Sequence, residues 1–69
     1  MKIEYLNRDE MFSVETDELG RFYLCVIVGG MAMSEKKILM DEAMYSQFCV
    51  DPAGLIPWVK SIRMNATNN

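Results

Sequence analysis

Between Arg21 and Ser34 the chain reads FYLCVIVGGMAM, a run with no charge and no side chain more polar than a phenol or a thiol. In a chain of 69 residues such a run has to lie at the centre of whatever forms. A membrane span needs about 20 apolar residues, and this run is shorter and broken by two glycines. A phosphate-binding loop needs a longer glycine pattern closed by Lys and Ser or Thr, whereas Gly29-Gly30 is followed by Met31-Ala32-Met33. A Gly-Gly pair between two β-favouring runs does signal a hairpin, because a two-residue primed turn requires positive φ and glycine adopts it without strain.

With Gly29-Gly30 as that turn, Val28 is expected opposite Met31, Val26 opposite Met33 and Cys25 opposite Ser34. The strand over 21–28 then has two apolar faces, one of Phe22, Leu24, Val26 and Val28 and the other of Tyr23, Cys25 and Ile27. A strand apolar on both sides belongs in the middle of its sheet. Residues 11–16 alternate, with Phe12 and Val14 against Ser13 and Glu15, and pair back through the turn Asp17-Glu18-Leu19-Gly20. With Thr16 opposite Arg21, Phe12 and Val14 share the face of Tyr23, Cys25 and Ile27, and a one-residue change of register reverses this. Residues 2–7, with Ile3 and Tyr5, supply a weaker fourth strand.

After the charges of 34–37, Ile38-Leu39-Met40 resumes the sheet and Asp41 is a good N-cap. Met44, Tyr45, Phe48 and Cys49 then form one stripe of a short helix. The rival reading is a single longer helix capped by Ser34. Asp51-Pro52-Ala53-Gly54 is a turn by composition. Pro57 fits the first turn of a last helix over 55–64, with Ile56, Val59 and Ile62 inward. The expected fold is α+β: a small antiparallel sheet of three to four strands in the N-terminal two-thirds, followed by two short C-terminal helices packed on one face. Residues 1–64 make one domain, and 65–69, NATNN, read as a disordered polar tail.

Two short helices cover one face of such a sheet and leave the other. The expected consequence is a homodimer, through sheet faces or strand edges, because monomers rarely expose large apolar patches and a core this small usually needs help. The candidate interface residues are Phe12, Val14, Tyr23, Cys25, Ile27, Met31, Met33 and Trp58. Trp58 enters as the single tryptophan, beside Pro57, although a half-buried core edge is the plainer role for it.

Little chemistry is implied. The absence of histidine removes the commonest general base and metal ligand, and no catalytic motif is present. The acidic pairs Asp9-Glu10 and Asp41-Glu42 fall where carboxylates cap and solvate. Seven methionines suit gap filling or an adaptable surface better than soft-metal ligation by Met31 and Met33. Catalytic residues, cofactors and metal ligands are therefore not expected. A net charge of −3 with a pI near 4.7 argues against nucleic acid as a partner and suits a basic protein. Without an apolar leader segment at the N-terminus, a cytoplasmic location is expected, and Asn65-Ala66-Thr67 is then a chance sequon. The reading is a non-catalytic, acidic interaction or accessory module acting as a homodimer on another macromolecule. The alternative is a small-molecule or soft-metal pocket at the dimer seam, lined by Tyr23, Cys25, the methionines and Trp58.

Overall fold

The computed structural model describes residues 1–29 and 33–67. Four strands, β1 (Lys2–Asn7), β2 (Phe12–Thr16), β3 (Phe22–Val28) and β4 (Ser34–Leu39), form one antiparallel sheet in the order β1-β2-β3-β4. Helix α1 (Glu42–Val50), a short 3-10 turn (Pro52–Leu55) and helix α2 (Ile56–Thr67) follow. The α+β architecture is the expected one, and the strand-then-helix reading of 34–50 holds over the single long helix. Asp41 caps α1 as its residue type predicts: its Oδ1 accepts the Met44 N–H at 2.8 Å and fixes the turn that buries Met44. Helix α2 continues three residues beyond Met64, where the polar tail was expected to start.

Both hairpin registers differ from the expected ones. Thr16 pairs with Phe22, not Arg21, because Asp17 N–H still bonds the Arg21 carbonyl at 3.1 Å and belongs to the ladder. The loop is thus Glu18-Leu19-Gly20, with Gly20 at φ 79°, the three-residue hairpin that ends in a left-handed residue. The Asp17 carboxylate locks it. Oδ1 accepts the N–H groups of Leu19 and Arg21, and Oδ2 accepts Arg21 Nε at 2.7 Å and the Tyr23 hydroxyl at 2.9 Å. The backbone N–H of Arg21, with the other donors behind it, holds this carboxyl well below the usual carboxylate range.

A one-residue shift exchanges the faces of a strand, so Phe12 and Val14 lie beneath the helices and not on the surplus face. They are 2% and 0% exposed, packed with Leu24, Val26, Leu55 and Val59. The second hairpin is longer than a two-residue turn: Val28 pairs with Ser34 and Cys25 with Lys37, and residues 29–33 make the connection. Gly29 at φ 94° supplies the positive φ expected of it.

The helix-facing side of the sheet now follows. Tyr5, Val14, Leu24 and Ile38 form one cross-strand row, and Asn7, Phe12, Val26 and Lys36 the next. Over them, α1 lays Phe48 against Tyr5 and Phe22, with ring centroids 6.4 and 5.9 Å apart, and α2 inserts Val59 at 0% exposure. Ile56, Trp58 and Ile62 pack around the same cluster. From α2, Arg63 reaches the far end of the sheet. Its Nη2 donates to the Glu10 carbonyl at 2.7 Å and its Nε to the Ile27 carbonyl at 3.2 Å.

Candidate interaction face

Among the described residues, no helix lies on the opposite face of the sheet. Register makes it a small lattice: Ile3, Glu15, Tyr23 and Leu39 in one row, Leu6, Ser13, Cys25 and Lys37 in the next, then Ile27 and Glu35. Met11 and Arg8, from the β1–β2 turn, complete the third row at the β1 side, where both line a groove shared with Ile27 and Glu35. A bulge at Glu4 is what turns Ile3 to this side while Tyr5 goes to the helices. The groove encloses about 340 Å³ between Ile3, Leu6, Met11 and Ile27, with Ser13 and Cys25 as its floor.

A polar strip crosses this face. Ser13 Oγ donates to Glu15 Oε2 at 3.1 Å, Lys37 Nζ lies 4.0 Å from Glu15 Oε1, and Lys37 also donates to Met1 Sδ at 3.0 Å. Cys25 lies under these side chains at 2% exposure. Burial pushes its thiol up to about 12, and a hydrogen bond to Glu15 with the negative charges of Glu15 and Glu35 adds to the rise. Such a thiol keeps its proton at neutral pH and is a poor nucleophile. One ligand atom each of Glu15, Cys25 and Glu35 lies within 4.8 Å of the others, so these three are the residues among those described that could converge on a cation. With the thiol protonated and the Lys37 ammonium beside Glu15, their present arrangement is a charge network roofing a buried side chain.

The candidate residues separate as follows. Tyr23, Cys25 and Ile27 share the uncovered face as expected, with Tyr23 and Ile27 half-buried. Phe12 and Val14 belong to the core. Met33 is exposed in the 29–33 connection, and Met31 lies outside the described residues. Trp58 sits on α2 against the helix-side core, so within one chain the sheet separates it from Tyr23 and Cys25. Four large apolar residues of this face lie outside those candidates: Ile3, Leu6, Met11 and Leu39, which are 57%, 50%, 42% and 55% exposed. Their signal is weak: Ile3 stands between Lys2 and Glu4, Leu6 between Tyr5 and Asn7, Met11 after Glu10, and Leu39 in the short run Ile38-Leu39-Met40, whose composition does not say which side chain faces the helices. Comparison with protein-family models, curated proteins and solved structures finds no match.

Proposed function

We propose that the chain is a non-catalytic interaction module whose uncovered sheet face docks a second copy of itself. The observation that carries this is the set of large apolar side chains on that face, Ile3, Leu6, Met11 and Leu39, left exposed around a polar strip that is already paired. Four strands at about 4.8 Å spacing and six residues at about 3.3 Å rise give a face of about 19 by 20 Å. With side-chain relief that is about 600 Å² per copy, so two copies bury about 1,200 Å², the lower bound for a specific complex.

The edges are poorer surfaces. The β1 edge is bent by its bulge, and the β4 edge carries Glu35, Lys36 and Lys37, the kind of charge that opposes strand addition. Each copy contributes −3, so a dimer carries −6, with Asp9, Glu18, Glu42 and Asp51 among the carboxylates exposed on each chain. That potential speeds encounter with a basic macromolecule, which makes an accessory subunit of such a partner the functional reading.

Sedimentation equilibrium on the purified chain tests the docking. The expected mass is twice 7.9 kDa, falling to a single chain in Leu39→Glu with the helical circular dichroism unchanged. A wild-type chain that stays single at tens of micromolar, on the order of weak-complex concentrations, refutes it.

A further inference from the structure

The same lattice of residues decides how the two copies would be related, an inference that rests on the docking read above. A closed two-fold pair of stacked sheets has its axis in the plane between them, either along the strands or across them. An axis across the strands returns the middle row onto itself, bringing Lys37 against the partner's Lys37 and Leu6 against the partner's Leu6. An axis along the strands reverses strand order and keeps the rows, so β1 lies over the partner's β4. Ile3 then meets the partner's Leu39, Leu6 meets the aliphatic stem of the partner's Lys37, and Arg8 meets the partner's Glu35. We infer that the chain pairs by this second operation, with two symmetry-related Arg8–Glu35 ion pairs fixing the register between copies.

Two facts beyond the symmetry support the assignment. Arg8 and Glu35 line one groove, yet among the described residues neither has an ion-pair partner within its own chain, while Lys2, Arg21 and Lys37 all do. Each therefore faces the uncovered side with an unused charge of opposite sign. The crossing angle of about 30° between aligned sheets displaces residues at the corners of the face by about 5 Å, about one strand spacing and within reach of an arginine and a glutamate side chain.

Charge reversal tests this in a way that separates contacts within a chain from contacts between chains. Arg8→Glu and Glu35→Arg each place like charges at both pair positions and should weaken self-association by roughly a hundredfold. Mixing the two variants should restore it as a heterodimer, because one chain then carries two carboxylates and the other two guanidinium groups. The double variant Arg8→Glu/Glu35→Arg should again pair with itself. Native mass spectrometry reads all four species, and far-UV circular dichroism confirms that each variant is folded. A wild-type dimer whose single variants still pair with themselves, or fail to pair with each other, overturns this geometry and leaves the docking face standing. A monomeric wild type overturns both.

Discussion

Replacing Phe12 by alanine distinguishes the observed register from the neighbouring one. Phe12 is 2% exposed, its ring centroid lies 5.9 Å from that of Tyr5, and Val26 faces it across β3. Truncation removes about 100 Å³ of side chain, and at ~24 cal/mol per Å³ the unfilled space alone costs about 2 kcal/mol. Lost transfer energy adds about 2 kcal/mol, so the expected loss is about 3–4 kcal/mol after partial collapse of the neighbours. A domain of 69 residues has about 3–10 kcal/mol in total. Phe12→Ala should therefore lower the melting temperature by roughly 12–30 °C or leave the chain unfolded. Phe12→Leu, which keeps most of the volume, gives a measurable series when alanine is not tolerated. Urea unfolding followed by Trp58 fluorescence is the assay, run at two protein concentrations about a hundredfold apart, because a contact between copies makes stability concentration-dependent. The loss should be the same at both. A loss below about 1 kcal/mol, or one present only at high concentration, would place Phe12 on the docking face and refute the register argument.

Three further outcomes are expected. Asp17 is held below the usual carboxylate range in the folded chain, so its contribution is complete above the unfolded value near 4 and is lost as pH falls toward the folded value; Asp17→Asn should flatten the decline of the urea midpoint between about pH 5 and 2. A thiol reagent at pH 8 should label the exposed Cys49 rapidly and Cys25 only on unfolding, which mass spectrometry of the labelled peptides reports. Arg63→Ala should cost about 2–3 kcal/mol by removing charged donors from the Glu10 and Ile27 carbonyls, and hydrogen exchange should rise first at the β1–β2 turn.

The elements of this fold were legible because each carries a local signal that tertiary packing did not override. Asp41 before an apolar stripe starts α1, Pro57 opens α2, and the β-rich run over 22–28 becomes the strand that both β2 and β4 flank. Pairing was less legible, since it depends on single residues at the turns. Asp17 looks like a turn residue by composition, and its side chain does make the turn, yet its backbone remains in the ladder. Counting it as loop shifts the pairing of Thr16 by one and moves Phe12 and Val14 across the sheet. At the second hairpin, Gly29-Gly30 has the composition of a tight turn, but Ile38 must lie opposite Leu24 to cover the core beside α1, and that spacing leaves residues 29–33 for the connection.

These register shifts also explain why the uncovered face is only half apolar. In the expected pairing it would hold Phe12, Val14, Tyr23, Cys25 and Ile27 together, a surface that a monomer could hardly leave in water. The observed pairing exchanges Phe12 and Val14 for Ser13 and Glu15 and adds Glu35 and Lys37 from β4. Charged groups now roof Cys25, so a single copy can stay folded with this face wet. Docking would bury the Glu15–Lys37 pair along with Ile3, Leu6 and Leu39, and desolvating that pair offsets part of the apolar gain. Under the proposed docking, that balance would favour a reversible equilibrium between copies over an obligate dimer. Raising salt should then act in two directions, screening the Arg8–Glu35 attraction between copies while strengthening apolar burial when the salt is a sulfate. Self-association that weakens in sodium chloride and recovers in sodium sulfate at equal ionic strength would carry both components, whereas one indifferent to sodium chloride would leave no part for the paired charges.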